Sequence, residues 1–270
     1  MPQFTSCCPA WVKYCEIYHE DLLPNISTTK SPISMQGAII KSYLCEKKKL
    51  DLDKVINVTI APCTAKKYEI RREELQGNDF VLTTSELAIM LREKNIDFDS
   101  LEDSSFDKML SESTGAANIF GNSGGVMEAA LRTVYYLITK ENASSKFLDF
   151  EEVRGLESIK EANIKILDIE FKVAVIYGMP NFEKFLPKLK DYAFIEVMNC
   201  EGGCIAGGGQ PLVPIAKMNE FKENRIASLY KVDKEKQKKS SYENKEIKTL
   251  YEEYLEYPNS EKAKHILHTS

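Results

Sequence analysis

Short apolar runs alternate with amphipathic stretches along most of the chain. Strands are predicted at residues 55–60 (VINVTI), 80–83, 171–177 (FKVAVIY) and 192–198 (YAFIEVM). Apolar side chains at helical spacing predict helices at residues 84–94 and 124–139 and near residues 181–190. Because strands and helices alternate in this way, we predict an α/β fold with largely parallel sheets flanked by helices.

The last fifty residues have a different pattern. From about residue 219 onward, charged side chains dominate and the apolar positions are spaced as in surface helices. We therefore predict a main domain over residues 1–218, built of two parts that divide near residue 114. A helical segment is predicted over residues 219–270.

Composition and charge exclude several classes of protein. The chain has 270 residues, 43% of them hydrophobic, which suffices for one large domain or two modest ones. Its formal net charge of −5 disfavours a dedicated nucleic-acid binder. No apolar run approaches the roughly 18–20 residues that a membrane-spanning helix needs, and no signal peptide is visible. We expect a cytoplasmic protein that has neither a nucleic acid nor a membrane as its partner.

The cysteines change the picture most. There are seven, at positions 7, 8, 15, 45, 63, 200 and 204. An odd, unevenly spaced set in a chain without an export signal favours metal ligation or redox chemistry over a disulfide framework. Cys15 and Cys45 lie in helix-like stretches, and we predict that they are small core residues.

The other five cysteines lie in three segments. These are TSCCPAW (5–11), APCTAKKYE (61–69) and EVMNCEGGCIAGGGQP (196–211). The second and third follow predicted strands, where α/β folds place their sites. Adjacent cysteines on an extended chain point in opposite directions, so Cys8 can be a ligand while Cys7 faces another space. The glycines around Cys200 and Cys204 allow backbone N–H groups to approach a cluster closely.

Four of these thiols form a candidate ligand set, namely Cys8, Cys63, Cys200 and Cys204. Zinc is the main competitor, but zinc sites usually show two tight cysteine pairs and this chain has only one pair. The wide spacing and the glycine flanks favour a 4Fe-4S cubane. Lys66, three residues past Cys63, could direct its ammonium group at an anionic group bound nearby.

At these three segments the chain resembles the catalytic domain of iron-only (FeFe) hydrogenases, with the signature motifs in the family's order. The likeness continues at residues 22–32 (LLPNISTTKSP), 82–88 (LTTSELA), 112–133 (ESTGAANIFGNSGGVMEAALRT) and 150–157 (FEEVRGLE). The C-terminal LYEEYLEYPNSEKAKHILHT resembles the family's small-subunit segment, fused here in one chain. The resemblance implies two α/β lobes with a cluster between them.

The resemblance also implies the cofactor, a six-iron H-cluster. Its 4Fe-4S cubane would be held by Cys8, Cys63, Cys200 and Cys204. The Cys204 sulfur would also bridge to a two-iron subsite that carries CO, cyanide and a dithiolate amine. The metal ligands implied by the resemblance are therefore the same four cysteines that the spacing favours.

Roles for five further side chains are implied by the same resemblance. Cys7 would pass protons to the amine, since a tuned thiol can donate and accept a proton near neutral pH. Ser27 would follow Cys7 in the proton relay, and Lys66 would hydrogen-bond a cyanide. Met198 and Phe120 would pack around the two-iron subsite. Plainer alternatives are a surface lysine at Lys66, a core residue at Met198 and a helix cap at Ser27.

The activity that the resemblance implies is the reversible reduction of protons to H2. Electrons would come from ferredoxin or a similar small carrier, and maturation proteins would load the two-iron subsite. One alternative is a non-catalytic iron–sulfur protein of the family's cluster-assembly branch, which binds no two-iron subsite. The features that argue against it, because they would serve that subsite, are Cys7, Lys66, Met198 and the GGGQP sequence. A second alternative is an H2-sensing relative with little turnover.

Two departures from the family's pattern are visible. Ala61 stands where family members usually have a methionine that would shield the bridging CO. The chain also begins directly at the first motif, whereas family catalytic domains carry an upstream segment with acidic residues of the proton path. We expect a naturally minimal enzyme that lacks ferredoxin-like modules. The alternatives are a fragment that needs a partner chain, or a second polypeptide that fills the gap.

Overall fold

The computed structural model of the chain describes residues 2–107 and 110–269. Its strands are β1 (Gln3–Phe4), β2 (Val58–Ala61), β3 (Phe80–Thr83), β4 (Ile159–Ile166), β5 (Ile169–Tyr177) and β6 (Phe194–Met198). None of the helices in these two ranges is long and apolar enough to cross a membrane.

The α-helices vary from single turns to five turns. They are α1 (Pro9–Tyr18), α2 (Pro32–Ile39), α3 (Cys45–Lys48), α4 (Lys66–Glu69), α5 (Thr84–Glu93), α6 (Gly115–Ile119), α7 (Gly125–Thr139), α8 (Ser145–Leu148), α9 (Met179–Phe185), α10 (Met218–Glu235), α11 (Lys245–Leu250) and α12 (Glu261–Leu267). Two π-helical turns, Ile40–Leu44 and Tyr251–Leu255, continue α2 and α11.

The chain folds as two compact units. Unit 1 consists of Met1–Ser27, Ser113–Ala206 and Val213–Lys245. Unit 2 consists of Thr28–Glu112, Gly207–Leu212 and Glu246–Ser270. The helices of the C-terminal segment are divided between them, since α10 belongs to unit 1 and α12 to unit 2. The predicted division into residues 1–218 and 219–270 stays a prediction.

Unit 1 contains a sheet with the strand order β1-β6-β5-β4. Strands β1, β6 and β5 are parallel, and β4 pairs antiparallel with β5. Alternate side chains of β5 enter different cores: Ala174 and Ile176 lie in one apolar cluster, Val173 and Val175 in the other. This sheet is therefore buried on both faces, as is usual for parallel strands covered by helices.

Unit 2 contains a smaller sheet, in which β2 and β3 run parallel with Val58 opposite Phe80. Helix α5 follows β3 directly and begins with a capping box between Thr83 and Glu86. A separate apolar cluster, with Leu255 fully buried, packs α2 against the C-terminal helices.

The α/β class with parallel sheets flanked by helices is confirmed, and most predicted elements lie close to their predicted places. Strand β2 begins later than predicted, since its pairing with β3 starts only at Val58, opposite Phe80. The helix predicted near residues 181–190 is α9 followed by a 3-10 turn, Leu186–Asp191. Strands β1 and β4 were not predicted, β1 because two residues show no periodicity and β4 because Lys160 lies in its inward-facing row.

Candidate metal centre

In unit 1, two cysteine segments follow neighbouring parallel strands. Strands β1 and β6 pair in parallel, with Phe4 opposite Ile195. Cys7 and Cys8 come just after β1, and Cys200 comes just after β6. Because the carboxyl ends of parallel strands meet at one edge of a sheet, these three thiols lie at the same edge of unit 1.

The first cysteine segment is fixed on both sides. The Thr5 N–H donates to the carbonyl of Ile195 at 3.2 Å, and the Thr5 hydroxyl oxygen accepts the Val197 N–H at 3.1 Å. The Trp11 indole N–H donates to the Thr5 carbonyl at 3.1 Å. Cys8 is the extended residue immediately before α1. The segment of Cys7 and Cys8 is therefore held between a paired strand and a helix.

Ser27 lies beside the same strand. Its N–H donates to the Phe4 carbonyl at 2.9 Å, and the neighbouring Ile26 forms a parallel bridge with Phe4. The residue before the next α-helix is Ser31 rather than Ser27, so Ser27 does not cap that helix. Ser27 thus lies next to the strand that leads into Cys7.

The loop from Cys200 to Cys204 needs its glycines. The Gly203 N–H donates to the Cys200 carbonyl at 3.0 Å, which closes the turn. Gly202 and Gly203 have φ angles of +79° and +95°, in the left-handed region that glycine adopts without strain. A Cβ atom at Gly203 would lie 2.5 Å from the Ser123 nitrogen, so no larger residue fits.

Met198 and Phe120 are the other two predicted residues of unit 1. Met198 is the last residue of β6, is 2% exposed, and its carbonyl accepts the Gly178 N–H at 2.9 Å. Phe120 follows α6 and packs partly buried against a small apolar cluster that contains Ile119. Met198 is therefore a buried residue at the end of β6, and Phe120 a partly buried residue at the end of α6.

In unit 2, the Cys63 loop follows β2 and packs on the glycine triplet of the third segment. The Gly209 N–H donates to the Pro62 carbonyl at 2.9 Å. The Gly209 carbonyl accepts the backbone N–H and the hydroxyl of Ser85, each at 3.0 Å. A Cβ atom at Gly209 would lie 2.8 Å from the Thr83 Cβ. Two segments far apart in sequence therefore meet beside Cys63.

Lys66 is not a surface lysine, because it is only 8% exposed. Its ammonium group donates to the Glu69 carboxylate at 2.6 Å, and Glu69 is 2% exposed. The other carboxylate oxygen accepts the Ser34 hydroxyl at 2.8 Å and also the Ser31 hydroxyl. A buried carboxylate with three donors thus fixes the position of Lys66, three residues past Cys63.

The sequence analysis missed Glu69, Ser31 and Ser34. One signal was present, since a lysine and a glutamate at i and i+3 face each other on a helix. The two serines gave no such signal, because they precede Glu69 by 38 and 35 residues and only the fold brings them to it.

The seven cysteines fall into two groups by burial. Cys15 and Cys45 are buried, which confirms the prediction that they are core residues. Burial raises the pKa of the Cys15 thiol to about 12, so it stays protonated and poorly reactive. The five cysteines of the three segments are partly exposed. All seven lie within the described residues, and none forms a disulfide.

The donor set fits an iron–sulfur cluster. Within residues 2–107 and 110–269, no group of three or more His, Cys, Asp or Glu side chains is arranged round one metal ion. A cubane takes one thiolate at each of four irons and accepts N–H···S hydrogen bonds. Partly exposed thiols that follow strands are donors of the kind that such a cluster takes, and the left-handed glycines at 202 and 203 let the chain turn tightly beside Cys204.

Two family models together match nearly the whole chain. The model described as "Iron only hydrogenase large subunit, C-terminal domain" matches residues 1–208. The model described as "Iron hydrogenase small subunit" matches residues 219–270.

Individual relatives agree with these matches. The chain is 49% identical over 223 residues to the periplasmic iron hydrogenase large subunit of Nitratidesulfovibrio vulgaris, covering 79% of this chain and 52% of that protein. It is 30% identical to the cytosolic Fe-S cluster assembly factor narfl of Danio rerio, covering 100% of this chain and 68% of that protein. The chain spans about half the length of the hydrogenases that it matches.

A solved structure matches the whole chain as well. The apo FeFe-hydrogenase HydA1 of Chlamydomonas reinhardtii superposes with a TM-score of 0.84 at 35% identity, covering 100% of this chain and 75% of that one. The motifs, the fold and these matches agree, and the chain therefore belongs to the iron-only (FeFe) hydrogenase family.

Proposed function

We propose that this protein is a hydrogenase that catalyses 2H⁺ + 2e⁻ ⇌ H₂. The observation that carries the proposal is the buried ion pair of Lys66 and Glu69, in which Lys66 lies three residues past Cys63. Burying a charge pair costs several kcal/mol of desolvation per ion, so an ammonium group fixed at this position is suited to hydrogen-bond a bound anion. The anionic cyanide ligands of a two-iron subsite would be such partners.

We assign the cofactor to the chain's own cysteines. Cys8, Cys63, Cys200 and Cys204 would hold a 4Fe-4S cubane, and Cys204 would also join it to a two-iron subsite with CO, cyanide and a dithiolate amine. When bound, the cubane supplies one-electron transfer and the two-iron subsite supplies the metal at which H2 is formed or split. The left-handed Gly202 and Gly203 would let the loop from Cys200 to Cys204 turn tightly beside the cluster.

Protons would move through Cys7 and Ser27. The Cys7 thiol stands beside the ligand Cys8 on a segment held by β6 and α1. Ser27 lies beside the strand that leads into Cys7, and its N–H is fixed by the Phe4 carbonyl. A thiol and a hydroxyl on fixed backbone can pass a proton without a rearrangement of the chain.

The remaining residues would bind and enclose the two-iron subsite. Lys66 would hydrogen-bond a cyanide, with Glu69 holding its ammonium group in place. Met198 and Phe120 would pack against the subsite and exclude water, which strengthens charged interactions in the site. Ala61, buried at 6% exposure, offers less apolar bulk there than a methionine would.

The partners follow from the same assignment. Electrons would arrive from ferredoxin or a similar small carrier, and hydrogenase maturation proteins would load the two-iron subsite. We also propose that residues 1–218 form the catalytic domain and that residues 219–270 form a small-subunit-like segment, which the family match over residues 219–270 supports.

A second candidate function is iron–sulfur cluster assembly without a two-iron subsite. It is favoured by the match along the whole chain to a cytosolic Fe-S cluster assembly factor. The identity of 30% to that protein is below the 49% to the hydrogenase large subunit, which is why we place the hydrogenase first.

An infrared spectrum tests the proposal. The chain is produced anaerobically with the hydrogenase maturation system, and we expect sharp metal–CO and metal–cyanide bands together with H2 production. Iron and sulfide without these bands would favour the second candidate. Bands with H2 binding but no turnover would indicate an H2-sensing relative.

Cys7→Ala tests the proton role. We expect H2 turnover to fall at least 100-fold, about 2.7 kcal/mol in activation free energy, with unchanged iron content and infrared bands. Cys15→Ala is the matched control, because Cys15 is fully buried in the core and should leave turnover within twofold. Full activity of Cys7→Ala would refute the assignment of Cys7.

A further inference from the structure

Two ionisable side chains are buried on one face of the unit 1 sheet, and the proposed function gives neither of them a role. Lys160 of β4 and Glu196 of β6 both lie opposite Val175 of β5, so all three side chains share a face. Lys160 is 3% exposed and Glu196 is fully buried. Because a buried charge needs compensating hydrogen bonds, the partners of these groups show what they do.

Both groups bind the backbone of the turn that opens α7. The Glu196 carboxylate accepts the N–H groups of Gly124 and Met127, each at 2.7 Å. The Lys160 ammonium donates to the carbonyls of Ser123 and Gly155 at 3.0 and 3.1 Å. The carboxylate thus satisfies helix N–H groups that lack intrahelical partners, and the ammonium satisfies buried carbonyls.

The same turn holds the cysteine loop. The Ser123 N–H donates to the Gly202 carbonyl at 3.0 Å, and the Ile205 N–H donates to the Gly121 carbonyl at 2.9 Å. Gly203 approaches Ser123 so closely that no side chain fits between them. These contacts lie on both sides of Cys204.

The turn has one side-chain anchor, the Asn122 amide, which donates to the Tyr230 hydroxyl at 3.2 Å. The Ser123 hydroxyl is buried and has no hydrogen-bond partner among the described residues. Beyond the Asn122 bond, the backbone of the turn is held by the two charged groups on one side and by the cysteine loop on the other.

We infer that Glu196 and Lys160 are positioning residues for the loop from Cys200 to Cys204. They act through residues 121–127, which they fix against the sheet, and this turn sets the place of the loop. The part of the inference that concerns cluster binding rests on the proposed function, since there Cys200 and Cys204 are ligands. The part that concerns the loop itself does not.

Hydrogen exchange at about pH 7.5 on the full chain, without a cluster, tests the inference, since both groups are largely charged between their pKa values of about 7 and about 8. The variants are Glu196→Gln and Lys160→Met, which nearly keep the length of each side chain but remove its charge. We expect the Ser123 and Ile205 amides to exchange at least tenfold faster in each variant. If one variant does not fold, the other reports on the same turn.

Ile195→Ala is the matched control, because Ile195 is the neighbour of Glu196 in β6 but packs into the other core cluster. The substitution lowers stability without removing a contact to the turn. When conditions are matched for global stability, amide exchange at Ser123 and Ile205 should therefore stay within twofold of the unchanged protein. Unchanged exchange in both charge variants, or an equal rise in the control, would overturn the inference.

A second measurement connects the loop to the cluster. After reconstitution with iron and sulfide, we expect a chelator to remove iron at least threefold faster from Glu196→Gln and Lys160→Met than from Ile195→Ala. Equal release rates with faster amide exchange would limit the role of the pair to the loop. Failure of the unchanged chain to bind iron would refute the proposed function and leave the exchange result intact.

Discussion

Two parallel strand pairs lead into cysteine loops in this protein, and they are covered to very different extents. In unit 1, residues 195–197 of β6 are completely buried, and the sheet has a core cluster on each face. In unit 2, Val58, Ile60 and Phe80 are 46%, 54% and 58% exposed. The first pair is stabilised by burial on both faces, whereas the second presents an apolar face to solvent.

The smaller sheet carries apolar side chains on both faces. Val58, Ile60 and Phe80 share the exposed face, whereas the covered face holds Ala61 and Val81 together with Thr59 and Thr83. Apolar burial therefore contributes less to the place of the Cys63 loop than it does to the Cys200 loop. Hydrogen bonds and a buried ion pair hold the Cys63 loop instead. Single polar substitutions in unit 2 should therefore lower the free energy of unfolding by correspondingly large amounts.

The largest effect is expected for Glu69→Leu. This change leaves a buried ammonium group without its carboxylate and two serine hydroxyls without their acceptor, so the free energy of unfolding should fall by about 3–5 kcal/mol. Denaturant unfolding of the full chain measures it. Glu253→Gln is the control, because it breaks an ion pair that is half exposed on both sides and should change stability little.

A double variant sharpens this prediction. In Lys66→Met with Glu69→Leu no buried charge is left unpaired, so much of the lost stability should return. If the double variant is as unstable as Glu69→Leu alone, the cost lies in the serine hydroxyls rather than in the unpaired ammonium group.

The next largest effect compares the two sheets directly. Ile176→Ala in β5 removes a fully buried side chain and should cost about 2–5 kcal/mol. Ile60→Ala in β2 removes one that is 54% exposed and should cost less than about 1 kcal/mol. Both are measured by denaturant unfolding. Equal costs would contradict the comparison and indicate that the β2–β3 face is covered in solution.

The buried carboxylate of unit 1 should make stability depend on pH. Burial raises the pKa of Glu196 from 4.5 to about 7, although the N–H groups of Gly124 and Met127 and the charge of Lys160 oppose the rise. Between these values the folded chain keeps a proton that the unfolded chain has released. The stability contribution is therefore full below pH 4.5 and is lost as the pH rises to about 7.

Unfolding measured between pH 5 and 7.5 checks this prediction. We expect the unchanged protein to lose on the order of 1–3 kcal/mol relative to Glu196→Gln over that range. Burial lowers the pKa of Lys160 to about 8, so its titration lies above most of the window. Parallel pH curves for the two proteins would contradict the assigned pKa shift.

The smallest effect is expected at the helix cap of unit 2. The Thr83 hydroxyl oxygen accepts the Glu86 N–H, and the Glu86 carboxylate accepts the Thr83 N–H. Thr83→Ala removes the first of these bonds and should cost about 1 kcal/mol in unfolding free energy. Thr84→Ala, one position into α5, removes a hydroxyl outside the cap and serves as the control.

Several features of this protein could be predicted from the pattern of neighbouring residues alone. The β-branched run of β5, the apolar run of β3 and the helical spacing of α5 and α7 are properties of neighbouring residues, so the sequence predicts them directly. The cysteine motifs are local as well, and in their order they are specific enough to identify the family. The burial of Cys15 and Cys45 agrees with the usual burial of free cysteine side chains.

Partners distant in sequence could not be predicted in this way. The sequence by itself determined the fold class, the family and the candidate ligands, because each depends on residues a few positions apart. Only the tertiary structure decided that Glu69 binds Ser31 and Ser34, and that Glu196 and Lys160 hold the turn beside Cys204. The physical reason is that a buried polar group is satisfied by whichever partner the packing brings to it, and that partner leaves no periodic signal in the sequence.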